Sequence, residues 1–200
     1  MTLLHSLDLL STFVFALVGA RIAADRGLDY GGITFIATIA SISGGTLRNV
    51  FLGILPVWIT DAWIMGSVLA AVIITLTLRR VTHVGRTLLI LDTFALATAT
   101  LSGAQLSYEL NLQWHACIIF GVITAVTGGL LRDVLCQVEP VLLHRETIGT
   151  ASFMGATTFV VLHAINAPSA VAVIVGGVVV IATRVISIYF DLHLPKFKKA

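Results

Sequence analysis

Seven apolar runs divide this chain, each long enough to cross the roughly 30 Å hydrocarbon layer of a bilayer as a helix. They cover residues 5–20, 31–52, 61–78, 87–105, 114–136, 147–165 and 169–190. The breaks between them carry charge or proline: Arg21–Asp29, Pro56–Asp61, the arginines 79, 80 and 86, Glu109–Gln113, Glu139–Glu146 with Pro140, and Asn166–Ser169 with Pro168. With 58% hydrophobic and only 11% charged residues in 200, the chain cannot clothe these runs in a polar shell. Soluble domains carry about a quarter charged residues. The expected fold is therefore an all-α integral membrane protein with lipid as its solvent. A formal charge of +2 gives no reason to expect nucleic acid as a partner.

Lys and Arg near span ends set orientation. In a seven-span arrangement Arg21, Arg26, Arg79, Arg80, Arg86, Arg132, Arg145, Arg184, Lys196, Lys198 and Lys199 share one side, and Arg48 alone takes the other. The basic side is expected to be cytoplasmic, with the N-terminus outside and the C-terminus inside. Trp58, Trp63, Trp114 and Tyr189 stand near span ends, as interfacial aromatic residues do. Cys117 and Cys136 occupy opposite ends of one run and are too far apart to bridge within it.

The two halves repeat at an offset of 84 residues. Asp8 falls on Asp92, Gly19 on Gly103, Gly44-Gly45 on Gly128-Gly129, Leu47-Arg48 on Leu131-Arg132, Asn49 on Asp133 and Pro56-Val57 on Pro140-Val141. Apolar segments match by chance in Leu and Val, but not readily in paired Gly, Arg and Pro at one register. The expected units are 1–84, 85–166 and a remainder of 167–200 holding the seventh helix and a basic tail. Three spans per unit is an odd number, so the copies should cross the membrane in opposite senses. Inverted repeats commonly build solute pathways at the interface of the halves.

The chemistry-bearing segments are Ser43-Gly44-Gly45-Thr46-Leu47-Arg48-Asn49 and Thr127-Gly128-Gly129-Leu130-Leu131-Arg132-Asp133. Paired glycines favour a kink, and loosened backbone at membrane depth belongs in a protein-lined or wet cavity. Its carbonyls, with the hydroxyls of Ser43, Thr46 and Thr127, would suit a monovalent cation. The other reading is close helix packing through small residues. Arg48 and Arg132 should either find partners or snorkel to the headgroups. If paired, Arg48 would meet Asp133 across the pseudo-twofold axis, and Asn49 would face Arg132. Asp8 and Asp92 open spans one and four, where they either complement a helix dipole or draw cations to each mouth. Asp61 and Glu146 begin spans three and six and admit the same two readings.

With these residues in place, the chain resembles the prokaryotic branch of the trimeric intracellular cation (TRIC) channel family. The likeness rests on the three-plus-three-plus-one span pattern and the duplicated Gly-Gly-x-Leu-Arg-[Asn/Asp] element. It implies a homotrimer in the cell inner membrane whose protomers each hold an hourglass pore for potassium or sodium. Helices two and five would be kinked at Gly44, Gly45, Gly128 and Gly129. Members often carry three consecutive glycines where this chain has Ser43 and Thr127 in the first place. No catalytic constellation, cofactor or obligate protein partner is expected. A potassium-permeable channel and a secondary transporter of a small solute, such as a glycine-like amino acid, both fit an inverted repeat.

Overall fold

The computed structural model describes residues 2–78, 84–138 and 147–190. Arg79, Arg80, His83, Pro140, His144, Arg145, Glu146, His193 and the lysines of the tail lie outside it, as does the side chain of Arg86. The described residues form eight helices and no strand: α1 (Leu3–Asp25), α2 (Tyr30–Phe51), α3 (Val57–Thr60), α4 (Ala62–Thr77), α5 (Val84–Glu109), α6 (Trp114–Leu135), α7 (Thr147–Ala164) and α8 (Ser169–Tyr189). Five of them contain a stretch long and apolar enough to cross a membrane: α1, α2, α5, α6 and α8. The third and sixth predicted runs are the shorter apolar helices α4 and α7. This is an integral membrane protein that crosses the bilayer several times.

Local chemistry explains where the helices begin and end. Thr2, Asp29 and Asp61 cap α1, α2 and α4, each side-chain oxygen accepting a backbone N–H from the first turn. Asp61, which accepts from Trp63 N–H at 2.9 Å as that cap, also lies 3.1 Å from His5 Nδ1. At the far ends, α1, α2, α5 and α6 close with the same pattern of reversed hydrogen bonds, such as Leu28 N–H to Ala23 O and Leu112 N–H to Ser107 O. The residue after each cap has positive φ: Gly27 (75°), Gly53 (68°), Asn111 (56°) and Gln137 (52°). Gly27 and Asn111 are 84 apart, as are Gly53 and Gln137. The helix bounds obey the same offset, Tyr30–Phe51 falling on Trp114–Leu135.

At the centre α1 packs on α5 and α2 on α6. Around them α4 lies against α1 and α2, α7 against α5 and α6, and α8 against α5 and α7. The interior is rich in alanine (Ala16, Ala20, Ala37, Ala71, Ala95, Ala151 and others), which lets the backbones approach closely. Phe15, Val18, Leu96 and Val180 fill the space between α1, α5 and α8. Large apolar side chains such as Ile90, Ile174, Phe51 and Tyr189 instead face outward. That is the arrangement lipid demands.

One expectation changes here. Asp8 and Asp92 do not open their helices, since Asp8 is the sixth residue of α1 and Asp92 the ninth of α5. A carboxylate that far along gains little from the helix dipole, which acts within the first turn. The glycine pairs, expected to kink helices two and five, lie within α2 and α6, where helical hydrogen bonding continues on both sides of them.

Candidate functional site

Arg48, in the last turn of α2, is fully buried. Its Nη1 and Nη2 donate to the two oxygens of Asp8 on α1, at 3.3 and 3.4 Å. Nη1 also donates to Ser102 Oγ on α5 at 2.6 Å, and the Ser102 hydroxyl donates in turn to Asp8. Nε donates to Asn49 Oδ1 at 2.8 Å, and the Asn49 amide donates to Leu55 O at 2.9 Å, tying the arginine to the turn after α2. A buried guanidinium is tolerable when its donors meet a carboxylate and further acceptors. Here three helices supply them.

The second copy repeats the arrangement with differences. Arg132 on α6, 3% exposed, donates from Nη1 to Asp92 Oδ1 at 2.7 Å and from Nε to Asp133 Oδ1 at 2.8 Å. Arg184 of α8 brings Nη2 to 3.8 Å from Asp92 Oδ2. The counterpart of Ser102 is Val18, so no hydroxyl is offered there. The cross-axis pairing of Arg48 with Asp133 and of Asn49 with Arg132 is therefore not what forms. Each arginine pairs with the aspartate 40 residues before it, because α1 and α2, like α5 and α6, bring those positions face to face. Both guanidinium groups are buried, which also removes the snorkelling alternative.

Between the two sites α2 crosses α6. A Cβ on Gly44 would overlap Thr124 O, and one on Gly128 would overlap Ala40 O. The pairs 44 with 124 and 40 with 128 run in opposite senses, so the helices cross antiparallel, with each glycine against the other's backbone. Gly45 and Gly129 turn away, with only the guanidinium of Arg48 or Arg132 nearby, at 3.9 and 3.7 Å. The hydroxyls of Thr46 and Thr127 donate back to Ile42 O and Ile123 O in their own helices. Thr46 also accepts from Trp58 Nε1 at 3.0 Å, so Trp58 faces inward rather than serving a headgroup belt. Ser43 Oγ is buried and makes no hydrogen bond in the structure.

Polar cavities flank the crossing. One of about 30 Å³, lined by Asp8, Ser11, Thr12, Ser41, Thr46 and Arg48, has room for a water or two. On the opposite side a cleft of about 10 Å³ touches Asp92, Gly129, Arg132 and Asp133. It adjoins a cavity of about 330 Å³ lined by Asp25, Arg26, Asp92, Arg132, Asp133 and Arg184. Phe15 borders both of the small cavities. Two charged recesses, hydroxyl-lined on the Asp8 side alone, thus lie on either side of a glycine-mediated crossing.

A family model described as "Glycine transporter" matches this chain twice, over residues 5–80 and 89–164. The chain belongs to that family. The two matched segments start and end 84 residues apart, at the offset of the repeat. A UPF0126 membrane protein of Vibrio cholerae is 31% identical to this family member over 98% of the chain and 83% of its own length. The UPF0126 inner membrane protein YadS of Escherichia coli is 29% identical over 98% and 96%. Among solved structures, a TRIC trimeric intracellular cation channel orthologue from Rhodobacter sphaeroides superimposes with a TM-score of 0.89 at 29% identity, covering 96% of this chain and all of that one. A second, described under conductance through TRIC cation channels, gives 0.86 at 28% identity over 100% and 99%. The TRIC-like resemblance of the sequence is borne out.

Among the site residues that escaped the sequence reading as such are Phe15, Trp58, Ser102 and Arg184. Ser102 and Phe15 are common residue types in apolar helices, and nothing local marks them. Arg184 did carry a signal. It stands six residues before the end of the last apolar run, flanked by Thr183 and Val185, which is deep for a charge counted towards the cytoplasmic side.

Proposed function

We propose that this protein is a potassium-permeable channel for monovalent cations, with a pathway inside each protomer between two inverted three-helix units. The observation carrying this reading is the match of essentially the whole chain to two TRIC cation channel structures. The geometry agrees with it. Two recesses flank the antiparallel α2–α6 crossing, one lined by hydroxyls and Asp8 and the other by Asp92 and Asp133, with Phe15 bordering both. Asp8 and Asp92 would draw cations to the two ends, and the crossing at Gly44 and Gly128 would be the narrow, gating segment. The permeant ion, K⁺ or Na⁺, would meet oxygen ligands there, including Ser43 Oγ.

The assembly we propose is a homotrimer in the cell inner membrane, by analogy with the trimeric orthologue. Seven spans, counting α4 and α7, would place the N-terminus outside and the C-terminus inside. Burial of Arg48, Arg132 and Arg184 takes these three out of the orientation count, and in this topology the remaining basic residues would all fall on the inner side. The family description favours a second reading, a transporter of a small glycine-like amino acid.

Single-channel recording of the purified protein in a planar bilayer separates the two. A channel gives discrete openings that reverse near the potassium equilibrium potential under a gradient, altered in a Gly44→Ala/Gly128→Ala variant. Electrical silence from folded protein, together with saturable uptake of radiolabelled glycine into liposomes, would transfer the assignment to the transporter.

A further inference from the structure

The two acid–arginine sites differ in charge, and they differ where the two copies differ in sequence. At the first, Asp8 faces Arg48 beside the uncharged Asn49, one charge of each sign. At the second, Asp133 stands where Asn49 stood, so two carboxylates contact Arg132. A second carboxylate held in a buried site is costly without a matching cation.

Arg184 brings that cation. It is 1% exposed, its Nη2 lies 3.8 Å from Asp92 Oδ2, and it lines the 330 Å³ cavity together with Asp133 and Arg132. Asp25 and Arg26 also line the cavity, which then holds three acids and three arginines, and Asp25 is paired in addition with Arg21 of α1. α8 has no counterpart in the first copy, so its arginine is present only where the extra aspartate is.

We propose that Arg184 is a specificity-setting residue that offsets Asp133 and thereby fixes the net charge of the large cavity at the Asp92 end of the pathway. The inference deepens the channel reading and rests on it for its ionic readout. A cleft with low-dielectric walls concentrates or repels ions according to its net charge. The first site needs no such device, because Asn49 leaves it balanced.

The test compares the full-length wild type with Arg184→Gln, Asp133→Asn, the double variant and Arg184→Lys, at about pH 8, where free carboxylates are ionised. Potassium conductance, the reversal potential under a KCl gradient and the thermal midpoint in detergent are measured for each. Arg184→Gln should raise potassium conductance by about twofold or more and move the reversal potential towards that of potassium, since the cavity loses one positive charge. Asp133→Asn should do the opposite, the double variant should return near wild type, and Arg184→Lys should resemble wild type. Shifts in the same direction, or a double variant showing the sum of both losses, would overturn the proposal, because that is how a packing role behaves. Should the wild type carry no current, the channel reading fails separately. The midpoints then decide the charge compensation: recovery in the double variant upholds it, and additive loss rejects it.

Discussion

Gly44 and Gly128 are adjacent in sequence to Gly45 and Gly129, yet the fold treats them as opposites. The first pair is pressed against backbone oxygens of the facing helix, and the second has open space beyond an arginine tip. Gly44→Ala or Gly128→Ala must separate α2 from α6, an overpacking change that typically costs about 1–3 kcal/mol. Gly45→Ala and Gly129→Ala should be neutral or stabilising by up to about 1 kcal/mol, because alanine favours helix. Thermal midpoints in detergent check this, and equal effects at all four positions would sink the close-approach account. The buried ion pairs give a second contrast. Asp8→Asn leaves Arg48 without its carboxylate and should destabilise by about 3 kcal/mol or more. Arg48→Gln should partly restore the Asp8→Asn protein, whereas Asp133→Asn should give Arg48→Gln no relief, since Arg48 makes its hydrogen bonds to Asp8, Ser102 and Asn49.

The helices depend on features at their ends and crossings that a run of apolar residues does not advertise. α1, α2, α5 and α6 end in one left-handed residue each, glycine in the first copy but Asn111 and Gln137 in the second. A long side chain in that conformation is strained by roughly 1 kcal/mol. Gln137→Gly should therefore raise the thermal midpoint, and Gly53→Gln lower it by a similar amount. The α7–α8 crossing tests the same idea between elements. A Cβ on Gly155 would overlap Val180 of α8, so Gly155→Ala should destabilise the protein. Val180→Ala in the same chain should recover part of the loss, and a double-mutant cycle reads the coupling. No coupling would mean that α8 shifts freely on α7.

For the molecule as a whole, the inverted arrangement makes a topological claim. Gly27 and Asn111 are equivalent positions after equivalent helices, and the proposed topology puts them on opposite faces of the membrane. Gly27→Cys should react with an impermeant maleimide only from the cytoplasmic side of oriented vesicles, and Asn111→Cys only from the outside. The native thiols of Cys117 and Cys136 are buried and should stay silent. Labelling of both positions from one face would mean that the copies are not inverted.

The sequence by itself determined the solvent, the apolar runs and the repeat, because each is written in one dimension. Burying a helix in lipid needs only a long apolar run, and duplication leaves its register in rare residues such as the glycine pairs and arginines. It also marked Asp8, Asp92, Arg48 and Arg132 as charges repeated in both copies, though it paired Arg48 with Asp133 and set the two aspartates at span openings. Only the tertiary structure decided which aspartate each arginine meets, since that depends on which faces of α1 and α2, or α5 and α6, turn towards each other. It likewise decided that one glycine of each pair packs while the other does not, a distinction of about 100° around a helix. Arg184 belongs to the same class of fact. Its partner lies about 90 residues away in the chain and is reached only because α8 packs back against α5.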